Sequence, residues 1–456
     1  MAQTSDNISP KTLTAADSTP LHFTLGEHPE CSLESLKGSE PALVSIEIKK
    51  SYRPSEEVEA ELYRVAPRLT VLRTEWQFDF IDKLLVSQRF PKLTELDVVA
   101  LPLPFDNPRL VPPLFPGLTH LTFKLYDWDD IPEDSSTASH DMGEALLNFL
   151  RNCPQLKVAY IKFDHTTFGP GKLVSLPHLR SFTLESDLIT KERSMDFGLI
   201  NRLSILSTCD VAFTITEAFQ EIGEPWDKYF LPIGSFCLPD FKTVEIKFEL
   251  NADQPNMIRT RFSHSEGTSF SLDRLTYEDL FSAQQVERVL AFLTSSKMTR
   301  SVETLSFIGC PFSPEEKSPA PNLTGQLSKL GNLKKLVFRE CEPFLLLQNP
   351  SPYGLWCPSI EHLIVSFQPL SPDRTRDLLS PDLTRDLLSP DLFSDLLWRV
   401  GHIASSRKDA GKPLKAVSLY LGPEVKRHFW GGSAPSEWLK KEVKRCVESV
   451  DFSYIY

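Results

Sequence analysis

The densest run of chemically able side chains is Tyr126-Asp-Trp-Asp-Asp-Ile-Pro-Glu-Asp134, with five carboxylates in eight residues. Clustered carboxylates can hold Ca²⁺, but this spacing is not that of an EF-hand and no glycine makes its sharp turn. The run reads as a solvated loop. Gly169-Pro-Gly-Lys172 has a lysine behind glycines but lacks the rest of a phosphate-binding loop. No GxxxxGK[ST], GxGxxG, HExxH or GxSxG occurs. The 10 histidines are dispersed, and the 8 cysteines form neither CxxC nor zinc spacing. The cysteines read as small buried apolar residues of a reducing compartment. No catalytic, cofactor-binding or metal-ligating residue is assigned, and the chain is expected not to be an enzyme. A site assembled from distant residues is the alternative.

A second candidate is a tandem of nine-residue copies, SPDRTRDLL, SPDLTRDLL and SPDLFSDLL, within residues 371–397. Serine can cap a helix, proline suits its first turn, and aspartate favours its dipole. Each copy can therefore open a short helix, which the next proline ends. Ser371, Ser380 and Ser389 each precede a proline and are candidate phosphorylation sites that would add charge in steps.

Charge narrows the partners. The 61 Asp and Glu against 49 Lys and Arg leave a net charge of -12. Such a chain has no overall attraction for phosphate backbones or anionic lipid. Lys334, Lys335 and Arg339 leave a local basic patch for nucleic acid as a further alternative. No run reaches the ~18 apolar residues of a membrane span. The polar N-terminus lacks a basic-then-apolar signal pattern, so cytoplasm or nucleus is expected.

The elements behind these residues repeat. Leu93-Thr-Glu-Leu96-Asp-Val98, Leu118-Thr-His-Leu121-Thr-Phe123 and Leu179-Arg-Ser-Phe182-Thr-Leu184 all read apolar-x-x-apolar-x-apolar. Val302 to Cys310 and Leu333 to Cys341 extend this to a terminal cysteine. The frame recurs from Leu43, Leu69, Leu156, Phe241, Leu272, Ile360 and Leu414. Leu203 fits less well, and a strand over Val211 to Thr216 is the other reading there. Steps between starts run from 23 to 54 residues; the shorter ones match the ~20–29 residues of a leucine-rich repeat. Pro41, Pro67, Pro91, Pro116, Pro154, Pro177, Pro239 and Pro358 each stand two residues before a frame. Proline fixes φ and cannot donate into a ladder, which suits the start of a strand. Between frames, Ser55 to Val65, Asp141 to Leu150 and Ser282 to Leu293 carry caps and 3.6-residue apolar stripes.

Strand plus helix, repeated, predicts an α/β fold: an irregular leucine-rich-repeat solenoid with a curved parallel sheet on its concave face and helices outside. Residues 1–20 are expected to be disordered. Residues 21–422 form the solenoid, with insertions near 127–140, 313–322 and 371–397. Residues 423–456 hold a capping helix, over Ser436 to Val450, and a tail.

The P-x-L-x-x-L-x-L pattern with irregular spacing resembles the leucine-rich half of fungal F-box proteins, over about Leu43 to Gly422. The resemblance implies ribonuclease-inhibitor-like repeats that hold a substrate. It also implies an N-terminal F-box, roughly LPxE before an apolar helix, that recruits a cullin–RING adaptor of an SCF-type ubiquitin ligase. Residues 1–42 contain no such segment, and Ser389 to Trp398 echo it only loosely.

Because strand side chains alternate, the third, fifth and seventh positions of each frame point away from the core. They are Glu47, Lys49, Arg73, Glu75, Glu95, Asp97, His120, Lys124, Tyr160, Lys162, Glu185, Glu245, Lys247, Arg274, Glu278, Lys335, Arg339, His362 and Tyr420. Charges of both signs suit a protein or peptide partner of complementary charge. The expected function is a non-catalytic protein-interaction scaffold with no cofactor, and the resemblance makes it a ubiquitin-ligase substrate receptor.

Overall fold

A buried residue followed by proline precedes many of the strands. In Phe90-Pro91-Lys92-Leu93 the Leu93 N–H donates to the Phe90 carbonyl at 3.4 Å. The same bond closes Phe115-Pro116-Gly117-Leu118 at 3.1 Å, Cys153-Pro154-Gln155-Leu156 at 3.2 Å, Leu176-Pro177-His178-Leu179 at 3.2 Å and Cys357-Pro358-Ser359-Ile360 at 3.1 Å. Proline supplies the φ that the second residue of a β-turn requires. Phe90, Phe115, Cys153, Leu176 and Cys357, just before the prolines, are at most 3% exposed. The repeating unit is therefore apolar-Pro-x-apolar-x-x-apolar-x-apolar, one residue longer at its start than the frame read from sequence.

The computed structural model describes residues 21–25, 43–49, 56–75, 90–99, 115–124, 136–162, 172–187, 199, 202–205, 208–217, 241–249, 256–264, 269–276, 286, 289–291, 293–294, 301–309, 323–339, 357–367, 390–421 and 441–454. The chain divides into two compact units, Met1–Tyr126 with Glu144–Ala159, and Asp127–Gly143 with Tyr160–Tyr456.

In the first unit, β1 (Leu21–Leu25), β2 (Leu43–Ile48), β3 (Val71–Thr74), β4 (Glu95–Val99) and β5 (His120–Lys124) pair in that order, every pair parallel. Helix α1 (Glu56–Val65) joins β2 to β3, and α2 (Ser136–Arg151) precedes β6 (Val158–Lys162). Leu72, Leu96, Val98, Leu121 and Phe123 fill one side of the strands, with Leu146, Leu147, Phe149 and Leu150 of α2 equally buried. The second frame position bonds the strands together. The Thr70 carbonyl accepts from Thr94 N (2.8 Å) and Glu95 N (3.0 Å), the Thr94 carbonyl from Thr119 N (2.8 Å) and His120 N (3.0 Å), and the Thr119 carbonyl from Lys157 N (2.8 Å) and Val158 N (3.0 Å). The Thr94 and Thr119 hydroxyls reinforce the first two carbonyls, each at 3.0 Å.

The second unit holds β8 (Ser181–Asp187), β10 (Asp210–Glu217), β11 (Thr243–Glu249), β12 (Asn256–Ser263), β13 (Ser269–Thr276), β14 (Thr304–Ile308), β15 (Lys335–Arg339), β16 (His362–Phe367), β17 (Leu414–Leu421) and β18 (Val447–Tyr454). The two-residue strands β7 (Val174–Ser175) and β9 (Leu203–Ser204) pair only with each other. Helices α3 (Leu323–Ser328) and α4 (Pro390–Asp409) join β14 to β15 and β16 to β17. The spatial order is β8-β10-β13-β12-β11-β14-β15-β16-β17-β18. Among the described strands of this order, only β12 runs antiparallel.

This order corrects the expected one-strand-per-step arrangement. The chain passes from β10 to a strand three places away, then returns through β12 and β13 to lie against β10. Phe213 and Phe270 (5.3 Å between ring centroids), Phe262 and Phe270 (5.4 Å), and Phe241 and Phe262 (5.6 Å) pack across this three-strand meander. Gly309, after β14, has φ +65°, and a Cβ there would lie 2.7 Å from the Phe248 carbonyl oxygen of β11. Only glycine suits both the conformation and the approach.

Other expectations need amendment. In β13 the buried pair is Phe270 and Leu272, so the frame begun at Leu272 is displaced. The outward positions there are Ser271 and Asp273; the side chain of Arg274 lies outside the described residues. Of the two readings near Leu203, the strand over Val211 to Thr216 holds, as β10. Residues 447–454 form β18, parallel to β17, so the capping helix does not reach Val450; Val447, Ser449 and Asp451 take up strand alternation instead. Residues 136–140 and 390–397, inside expected insertions, are helical. Helices are few among the described residues, so helices lining the whole outside of the strands are not described. The remaining parts of the insertions and residues 1–20 lie outside the described residues. No described helix is long and apolar enough to cross a membrane.

Candidate interaction face

The side of the strands turned away from the apolar core is the candidate site. In the first unit its charges neutralise one another. Lys49 Nζ bridges Glu47 (2.6 Å) on its own strand and Glu75 (2.7 Å) beyond β3. Arg73 Nε reaches Glu95 Oε1 at 2.9 Å. Lys124 Nζ lies 3.6 Å from Asp97, too long for a hydrogen bond. Hydrogen bonds from Lys49 to Glu47 and Glu75 lift its amine to about 12. Burial pushes the Asp97 carboxyl upward, with Lys124 opposing. His120 is exposed, its Nδ1 2.9 Å from the Thr119 hydroxyl. Each of the four acids described on this face has a cation beside it, with Lys49 shared by Glu47 and Glu75.

In the second unit, Glu185 accepts from Tyr160 and, at 2.9 Å, from Lys162. Arg259 of β12, absent from the sequence reading, binds both oxygens of Asp273 at 3.0 Å. Burial drives the Asp273 carboxyl upward, and Arg259 opposes it. Lys247 pairs with Glu249 at 2.5 Å. Register places Arg261 opposite both Glu245 and Ser271. Arg259 and Arg261 were legible as alternation with Ile258, Thr260 and Phe262, but β12 has no leucine frame to draw attention to it.

The second frame position carries a ladder here too. Lys242, Glu303, Lys334, Glu361 and Lys415 immediately precede the paired residues of β11, β14, β15, β16 and β17, and their signs alternate. Lys242 and Lys334 each reach Glu303 at 3.0 Å, and Lys415 reaches Glu361 at 2.8 Å. Hydrogen bonds from Lys334 and Lys242 lower the Glu303 carboxyl, and one from Lys415 lowers that of Glu361. A carboxyl lowered in the folded chain adds stability above its unfolded pKa, and that stability is lost as pH falls through the lowered value. The Glu303→Gln/Glu361→Gln double variant should therefore lose less stability than the parent between about pH 5 and 3, read from urea midpoints. Parallel pH profiles would remove the ladder from the balance.

Beyond the ladder, β14 to β17 present Thr304, Ser306, Ile308, Lys335, Val337, Arg339, His362, Ile364, Ser366, Ala416, Ser418 and Tyr420 on this face, and none is a carboxylate. Tyr420 donates to Asp451 of β18 at 3.1 Å. Ser371, Ser380, Ser389 and Glu278 lie outside the described residues, as do Cys310 and Cys341; the third tandem copy contributes Pro390, first residue of α4.

Three of the described cysteines, Cys153, Cys209 and Cys357, are buried. Burial pushes Cys153 and Cys357 upward, and Cys209 to about 12. Among the described residues no group of His, Cys, Asp and Glu could hold a metal ion. The chain matches no protein-family model, and no curated protein matches it.

Proposed function

We propose that this chain is a non-catalytic protein-interaction scaffold whose polar sheet face receives a protein partner. The observation carrying this reading is the row of mixed charges and hydroxyls repeated across successive parallel strands. Such a surface suits a broad polar partner better than a small substrate, which calls for a concave apolar pocket with a few convergent polar groups. The repeated apolar-Pro-x-Leu turns and the bonded second frame position support a leucine-rich solenoid with this face inside. The F-box likeness makes a ubiquitin-ligase substrate receptor in the cytoplasm or nucleus the specific form of the proposal.

A photo-crosslinking side chain at Thr122 or Ser418 tests it against one at Lys412, in the turn before β17. Adducts with a defined protein should form from the two face positions and not from Lys412. A cullin adaptor and a further bound protein among them would support the receptor form. Equal adducts from all three positions, or none, would overturn the scaffold reading.

A further inference from the structure

We propose that the part of this face formed by β14 to β17 takes an acidic, extended segment of a protein partner. The inference rests on the scaffold reading and specifies its partner chemistry. In a chain of net charge -12, four neighbouring strands without an outward carboxylate form a local reversal of charge. Lys335 and Arg339 stand at the two ends of β15, and register places His362 beside Lys335. Among the described residues no carboxylate pairs with Lys335. The acids nearest in register are already engaged: Glu303 by two lysines and Glu361 by Lys415.

Spacing then sets the ligand. Lys335 and Arg339 are four residues apart along a strand, roughly 13 Å at the β rise. Ile364, half-buried on β16, lies in the row between them, because it pairs with Val337. An extended segment laid along the strands advances by the same rise. It would place one acid over Lys335 and His362, an apolar residue over Ile364, and a second acid over Arg339. The chemistry is thus acid-x-apolar-x-acid, where an ordinary β-strand period puts all three side chains on one side. Charge complementarity of this kind sets the choice of partner and steers its arrival.

The probe is a fluorescein-labelled peptide Ser-Glu-Ser-Leu-Ser-Glu-Ser, titrated with the full chain by fluorescence anisotropy. It should bind saturably, and at least about tenfold more tightly than the same peptide with lysine for glutamate. K335E/R339E should invert that preference, whereas K92E/K412E, in the exposed turns before β4 and β17, should leave it unchanged. Rising salt should weaken the glutamate peptide. No saturable binding of the glutamate peptide, equal binding of the two peptides, or an unaltered preference in K335E/R339E would each overturn the proposal. Crosslinked partners at Ser418 together with a failed peptide would overturn only this partner chemistry. Failure of both would remove the scaffold reading as well.

Discussion

Replacing Arg407 by methionine should destabilise the second unit by about 3–5 kcal/mol, the combined cost of several carbonyl oxygens left without their donor. Arg407 is 2% exposed, on the last turn of α4. Its guanidinium donates to the Cys357 carbonyl at 2.5 Å, to that of Ile360 at 2.5 Å and to that of Pro358 at 3.4 Å. Those oxygens belong to the turn that launches β16, where Cys357 holds a φ of +41°. A non-glycine residue in that region needs its surroundings to hold it there. Burial pushes the Arg407 guanidinium below its ordinary pKa, yet an arginine stays charged at any physiological pH. Arg407→Lys should recover only part of the loss, because an ammonium lacks the planar fork that reaches several acceptors at once. The urea midpoint measures both variants. A loss below about 1 kcal/mol for the methionine variant would mean that water replaces the guanidinium at little cost.

Phe262→Ala should cost about 3–5 kcal/mol, the usual range for emptying a buried aromatic site. Phe262 is 0% exposed and packs between Phe241 and Phe270, at 5.6 and 5.4 Å. Those two rings sit at the ends of β11 and β13, so the Phe262 ring ties the outer strands of the meander to its centre. Phe262→Leu keeps most of the volume and should cost well under half as much. Equal losses for the two substitutions would show that ring packing, not volume, sets the stability of this region.

The strands were legible where local chemistry repeats. Leu93, Leu96 and Val98 announce β4 through their spacing alone, and Leu333, Leu336 and Phe338 announce β15. The same rule placed Lys335, Arg339 and His362 on the outward side. It failed at Leu272, because Leu272 and Leu275 satisfy the frame while the pair that enters the core is Phe270 and Leu272. A one-residue change of parity exchanges the two faces of a strand, so the frame begun at Leu272 does not mark the two sides of β13. The meander was illegible for a deeper reason. Alternation marks which side of a strand is buried and is silent about its neighbour. Nothing local to Phe241 or Phe270 says that β11 will lie against β14 and β13 against β10. β18 escaped because Trp438, Leu439, Val443, Cys446 and Val447 fit a helical stripe well enough to hide the alternation that follows.

The meander also sets the order in which this chain can become safe from its own edges. At most parallel junctions a strand meets its neighbour soon after it is made: Arg73 and Glu95 are 22 residues apart, Glu303 and Lys334 are 31, while Glu361 and Lys415, across the stretch that holds α4, are 54. At the two seams of the meander the distance is longer still. Asp210 binds Ser269 across 59 residues, and Lys242 binds Glu303 across 61. During synthesis β10 therefore waits with one side unpaired until β13 has left the ribosome, and β11 waits for β14. Unpaired strand edges recruit other chains, and long-separation pairings are the slow steps of folding. The longest of these waits lies between residues 217 and 308, and a nascent chain arrested there would present two open edges to whatever surrounds it.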